Sequence, residues 1–176
     1  IIEGGITTVG NYAFYECDNL VRVTLPNTMT SIGGNAFAGC NSLTDITLPE
    51  TVVSINSYAF ERCTSLPSIN LENIKTIGAH AFRNCISFTS VTISDNTTTI
   101  GKAAFWNCSN IESVSIGKNV TSIGEGEYIG SGSFDECNSV TAFEVDVDNQ
   151  YYSNDEYGAL LNKDQTVLMN YPLGNT

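Results

Sequence analysis

A five-letter word recurs six times along the chain: AFYEC (13–17), AFAGC (36–40), AFERC (59–63), AFRNC (81–85), AFWNC (104–108) and SFDEC (133–137). Every cysteine of the protein is the last letter of one copy, and successive cysteines lie 23, 23, 22, 23 and 29 residues apart. A period between 20 and 29 residues is the mark of a solenoid of the leucine-rich-repeat type. No unit so short can bury its apolar face alone, so neighbouring units must stack to make a core. The long last step is the ordinary unit plus six residues, inserted within GEGEYIGSGSF (124–134). Stacked repeats tolerate such an insertion as a surface loop.

In register, the units share their parts. An L-x-x-I-x-I stretch comes first: LVRVTL (20–25), LTDITL (43–48), LPSINL (66–71), FTSVTI (88–93), IESVSI (111–116) and VTAFEV (140–145). Its last three letters alternate as a strand with one buried face requires. A turn follows, marked by Pro26, Pro49, Asn27, Asn96 and Asn119. A short apolar segment then closes on Gly or Asn, as in TSIG (30–33), VSIN (53–56) and TTIG (98–101), and that last position suits φ > 0. The A-F-x-x-C word comes last, too short for more than one helical turn.

Stacking predicts one inward column of Leu25, Leu48, Leu71, Ile93 and Ile116. A second column carries the word itself, pairing Phe14 with Cys17, Phe37 with Cys40, Phe60 with Cys63, Phe82 with Cys85, Phe105 with Cys108 and Phe134 with Cys137. Equivalent positions on adjacent coils sit about 4.8 Å apart, which alone permits disulfides. The repetition of one environment favours reduced, buried thiols acting as small apolar side chains. Disulfides and a metal are the alternatives. Zinc is the weakest of them, since there is no C-x-x-C pair and His80 is the one histidine.

Charge narrows the partners. The formal charge is −12, and residues 125–176 hold ten of the nineteen acids against Lys163 alone. So acidic a chain repels phosphate backbones, which excludes nucleic acid as the expected partner. No apolar run reaches the 18 or more residues of a membrane span, so no membrane insertion by this segment is expected.

The A-F-x-x-C word, the L-x-x-I-x-I-P strands and the x-S-I-G segment together resemble the BspA-like leucine-rich repeats, a family named for a Bacteroides surface antigen. The C-terminal stretch FEVDVDNQYYSNDEYGALLNKDQTVLMNYPLGNT (143–176) is similar to a strand-and-hairpin segment common in that family, with strands at 158–162 and 166–172 around Lys163, Asp164 and Gln165. The resemblance implies a right-handed, β-rich solenoid of the α/β horseshoe superfamily, with a parallel sheet on the concave side and little helix. Residues 1–142 would be stacked repeats, and 143–176 a strand and hairpin of the same solenoid unit. The resemblance further implies a secreted or cell-surface adhesion module, virulence-related, that binds a host or neighbour-cell protein or glycan. Departures are the six-residue insertion, the 22-residue fourth step and a start in mid-repeat, which suggests a fragment of a longer surface protein.

Catalytic chemistry finds little footing. His80 falls in a variable row with Tyr12, Asn35, Tyr58 and Ala103, which reads as surface, and no phosphate loop or nucleophile elbow is present. The expectation is a monomeric non-enzyme without a cofactor. Asp146 and Asp148, with Asp155 and Glu156 nearby, open like a calcium loop, but Tyr151 and Tyr157 stand at its glycine and glutamate places. An irregular calcium site and a solvated acidic cap stay open. Matches to N-x-S/T at Asn96, Asn107 and Asn119 carry weight only in a eukaryote.

Two outward rows on the strands are the expected binding face: Arg22, Asp45, Ser68, Ser90, and Thr24, Thr47, Asn70, Thr92. The inserted loop adds Glu125, Glu127 and Tyr128, beside Tyr151, Tyr152 and Tyr157, as an acidic, tyrosine-bearing patch. Alternatives are a plain architectural spacer and ice or crystal-surface binding through the threonine row. Trp106 is expected to lie partly exposed.

Overall fold

The computed structural model describes residues 4–124 and 132–175. The strands in chain order are β1 (Thr8–Val9), β2 (Arg22–Thr24), β3 (Ser31–Ile32), β4 (Asp45–Thr47), β5 (Ser54–Ile55), β6 (Thr76–Ile77), β7 (Ser90–Ile93), β8 (Thr99–Ile100), β9 (Ser113–Ile116), β10 (Ser122–Ile123), β11 (Ala142–Val145), β12 (Tyr152–Asn154), β13 (Leu160–Asn162) and β14 (Leu168–Asn170). They wind a parallel β-solenoid of about five turns with almost no helix. A single 3-10 turn, Leu173–Asn175, is the helical element among the described residues.

The continuous sheet is built by the shorter segments. β1, β3, β5, β6, β8 and β10 pair in that order, all parallel, with Thr8, Ser31, Ser54, Thr76, Thr99 and Ser122 in register. The L-x-x-I-x-I side is broken into β2–β4 and β7–β9–β11. The expected strand at 66–71 does not form. Its equivalents Thr44, Glu112 and Thr141 each donate a backbone N–H to the coil before, whereas Pro67 has none to give. Burial survives the break, since Leu66 and Leu71 are 1% and 4% exposed.

The A-F-x-x-C word is a turn because two of its positions are left-handed. The residue before the Ala has φ between 51° and 62° at Tyr12, Asn35, Tyr58, His80 and Ala103, and the letter before the Cys has φ between 53° and 76°. This corrects the picture of a permissive row: the row varies in residue type, yet every member must adopt a conformation that costs an L-residue about 1–2 kcal/mol. The reversal aims alternate N–H groups along the stack, so that Phe37 donates to Ala59, Phe60 to Ala81 and Phe82 to Ala104, at 2.7–2.8 Å. A second correction concerns the glycines closing the short segment, none of which has a positive φ. They are small because coils touch there. A Cβ on Gly33 would meet Val9 O at 2.5 Å, and one on Gly101 would meet Ala79 N at 2.4 Å. Asn56 is the exception in that row.

The phenylalanines form one stack. Centroids from Phe14 through Phe37, Phe60, Phe82, Phe105 and Phe134 are spaced 5.1–5.5 Å with planes within 14°. The step across the insertion, Phe105 to Phe134 at 5.3 Å, matches the others. Phe143 then meets Phe134 edge-on at 67° and ends the series. Leu25, Leu48, Leu71, Ile93 and Ile116 are all buried.

All six cysteines are free thiols. From Cys40 onward each Sγ donates to the carbonyl of the phenylalanine one coil earlier: Cys40 to Phe14, Cys63 to Phe37, Cys85 to Phe60, Cys108 to Phe82 and Cys137 to Phe105, at 3.1–3.2 Å. Cys17 and Phe14 depart from the expected ladder. Cys17 is exposed and Phe14 half-buried, because no coil precedes theirs among the described residues to cover them or offer a carbonyl.

The far end is closed by chemistry. Asn149, fully buried, donates Nδ2 to Gly117 O and Val120 O and accepts from the N–H groups of Tyr151 and Tyr152. The Tyr152 hydroxyl takes the Ile123 N–H at 2.8 Å. β12, β13 and β14 form an antiparallel sheet over this end. Ser133, standing where the other words have Ala, donates to Gly101 O and lies 3.0 Å from Gly124 O.

Candidate interaction surfaces

The strand face places Arg22, Thr24, Asp45 and Thr47 around one shallow cleft of about 360 Å³, floored by Val23 and Leu25. Arg22 Nε lies 2.6 Å from Asp45 Oδ2 in the open, so the row's one cation is neutralised within its own face. Ser90 and Thr92 are exposed on β7, in register with Ser113 and Ser115 of β9. Ser68 and Asn70 are exposed too, but they sit on the unpaired stretch beside Pro67 and do not continue either row as strand. Glu125, Glu127 and Tyr128 lie outside the described residues.

At the capped end a larger concavity of about 570 Å³ runs between β11 and the 154–158 turn, lined by Glu144, Glu156, Tyr157 and Tyr171 among others. The carboxylates suspected of calcium ligation already serve turns. Asp146 Oδ1 accepts the Asp148 N–H, and Asp155 Oδ1 accepts those of Tyr157 and Ala159. Among the described residues, no three His, Cys, Asp or Glu side chains group to hold a metal.

A third surface escaped the reading of the strands. It lies along the A-F-x-x-C turns of the third to fifth coils. His80 stacks on Tyr58 at 4.6 Å, and the Arg83 guanidinium covers the Trp106 ring at 4.7 Å while reaching Glu61 at 3.3 Å. Trp106 and His80 are both half-buried. Burial, helped by Arg83 and Lys102, holds the His80 imidazole below its ordinary pKa, and its buried Nδ1 has no hydrogen-bond partner. Aligning the variable letters of the six words would have exposed this cluster.

The five buried thiols, from Cys40 onward, offer no nucleophile. Burial pushes Cys40 up to about 11 and Cys137 up to about 12, and raises Cys63, Cys85 and Cys108 as well. A thiol so protonated at neutral pH is inert.

The BspA type leucine rich repeat region matches residues 7–128 in six copies. The chain belongs to this BspA-type leucine-rich-repeat family. Solved structures agree. A leucine rich repeat protein of T. pallidum is 32% identical with a TM-score of 0.72, over 79% of this chain and 63% of that one. A leucine rich cell surface protein of Faecalibacterium prausnitzii is 31% identical with a TM-score of 0.74, over 95% and 44%. The pneumococcal vaccine antigen PcpA, at 22% identity and a TM-score of 0.76 over 97% and 43%, shares the fold. No curated protein matches. This BspA-type chain thus spans less than two thirds of each of these relatives. Family and fold are typically non-catalytic, and such repeats suggest a module for protein interaction at a bacterial surface. Among the described residues, no helix is long and apolar enough to cross a membrane.

Proposed function

We propose that this BspA-type chain is a non-catalytic, adhesion-type module, secreted or held at the cell surface, that binds a host or neighbour-cell protein or glycan. The observation that carries the reading is its likeness, over 95% of its length, to a Faecalibacterium protein described as a leucine rich cell surface protein. The strand cleft of Arg22, Thr24, Asp45 and Thr47 supports a contact face there, continued by Ser90 and Thr92 and flanked by Ser68 and Asn70. Glu125, Glu127 and Tyr128, with the acidic capped end, complete the proposed surface. The test is binding of the monomeric chain to an array of extracellular-matrix proteins and glycans across salt concentrations. A salt-sensitive hit on a basic partner, lost on deleting residues 125–132, supports adhesion through the acidic end.

A second reading, an architectural spacer, is favoured by the internal neutralisation of Arg22 by Asp45. It predicts silence across the array. Ice binding is disfavoured, because the threonine row is interrupted where the third coil has no strand.

A further inference from the structure

The chain's one tryptophan, its one histidine and two of its three arginines all stand on a single edge of three successive coils. That edge is made by the A-F-x-x-C turns, away from both strand rows. Backbone bonds tie its members coil to coil: Arg62 N donates to Arg83 O at 2.8 Å, His80 N to Lys102 O at 2.9 Å, and Asn84 N to Trp106 O at 2.9 Å. The side chains above those bonds are already ordered, His80 against Tyr58 and Arg83 against Trp106. Tight protein interfaces are anchored by Trp, Tyr and Arg. Side chains held in place beforehand lose less freedom on binding.

Charge supplies the kind of partner. Arg62 is exposed, and neither it nor Lys102 has a salt bridge among the described residues. Against these cations and Arg83, the edge carries Glu61 alone on these coils' words. The molecule as a whole is anionic, but along the turns the next acids toward the capped end are Asp135 and Glu136 of the sixth word, two coils from Arg83 and three from Arg62. At about 4.8 Å per coil that is on the order of 10 Å or more, beyond the roughly 8 Å over which physiological salt lets surface charges act. Around Arg62 and Arg83 the turn edge therefore carries more cations than acids. A carboxylate needs guanidinium and ammonium donors, which the edge offers.

We propose that the turn edge of the third to fifth coils is a docking surface for an acidic segment of a partner protein, anchored by Arg62, Arg83 and Trp106. The proposal rests on the interaction-module reading and deepens it. It adds a contact face on the turns to the strand cleft and the acidic end.

The probe is fluorescein-labelled poly-L-glutamate, titrated into the full chain at low and high salt. Emission of Trp106, the only tryptophan, reports contact at the edge itself. The expected result is saturable binding that weakens with salt, changes tryptophan emission, and falls at least about tenfold in the Arg62→Gln/Arg83→Gln double variant. A Lys118→Gln variant, whose ammonium pairs with Asp95 away from the turn edge, should bind within about twofold of the parent. Unchanged denaturation midpoints establish that the variants are folded. No binding, binding indifferent to Arg62 and Arg83, or capture of a heparin oligosaccharide in preference to polyglutamate would each overturn the proposal. The matrix array separates the two readings. A hit there with no polyglutamate binding sinks this edge and leaves the module standing. Silence there with edge-dependent polyglutamate binding keeps the edge and removes the adhesion reading.

Discussion

Cys17 and Cys63 end the same word, yet one is exposed and the other fully buried with its Sγ on the Phe37 carbonyl. Phe14 and Phe60 repeat the contrast, half-buried against 0% exposed. Nothing local distinguishes the members of each pair. What differs is the presence of a coil on both sides, so burial in this fold is a property of stacking rather than of the word. The first coil is a natural control for every statement about the third.

Reactivity gives the widest split. A thiol reagent such as DTNB should modify one cysteine per folded chain, Cys17, at the speed of a free thiol. The other five wait for unfolding, whose population is of order 10⁻³ or less, so their rates should trail by about that factor or more. Mass mapping of the first adduct checks the assignment. Rapid labelling of any residue from Cys40 onward would break the ladder of inward thiols.

Stability follows. Phe60→Ala removes one ring from the middle of the stack and should cost about 3–5 kcal/mol. Phe14→Ala, with one neighbouring ring and solvent opposite, should cost no more than about a third of that. Equal shifts in the urea midpoints would mean that the first coil is covered in solution.

The glycines invert in sign across the same pair of regions. A Cβ at Gly101 would sit 2.4 Å from Ala79 N, but at Gly10 nothing lies within 4 Å. Gly101→Ala should therefore destabilise by about 1–3 kcal/mol through overpacking. Gly10→Ala should stabilise by about 0.4–1 kcal/mol through the unfolded chain. Two losses of similar size would show the first coil packed as tightly as the fifth.

How far the sequence revealed this follows from what each residue's neighbour is. Period, apolar columns and the thiol environment were legible, because a residue that repeats identically must repeat its surroundings. The closing glycines were seen and misread: a small residue serves either a left-handed turn or a close approach, and one chain read linearly cannot separate the two. The left-handed positions themselves were hidden, since Tyr, His and Ala carry no signal for φ > 0 and adopt it for the inter-coil hydrogen bonds. Asn149 carried no signal of its own among the neighbouring aspartates, although it is the buried plug that satisfies Gly117, Val120, Tyr151 and Tyr152. Of the candidate surfaces, the strand rows were read by alternation. Tyr58 and His80 were set in one row but read as plain surface because the row varies, and the Arg83–Trp106 pair was missed because each letter was weighed in its own word rather than beside the same letter one coil on.

A smaller effect separates the middle coils from the ends by pH. Burial and the nearby Arg83 and Lys102 charges lower the folded pKa of His80, so the unfolded chain binds the proton more readily. Its contribution is fully present above the ordinary value near 6.5 and is lost as pH falls from there through the lowered folded value. The urea midpoint should drop between about pH 7.5 and 5, and His80→Asn, which keeps a residue at ease with φ 58°, should remove that part of the drop. An identical pH profile in the variant would place His80 in open solvent.

The smallest change tests the break in the strand side. Pro67→Thr restores an N–H where Thr44, Glu112 and Thr141 have one, and a new inter-coil hydrogen bond is worth about 1 kcal/mol. Losing the proline loosens the unfolded chain and costs about 0.4–1 kcal/mol. The two nearly cancel, so the denaturation midpoint should hardly move. Amide exchange should still report the difference. In the variant the 66–71 stretch should gain protection and join β4 to β7, making the strand side as continuous as the sheet from β1 to β10. If the midpoint stays put and the amides of 66–71 still exchange freely, the missing N–H is not what interrupts the sheet. The 22-residue spacing of the next coil, one residue short of its neighbours, would then be the cause to pursue.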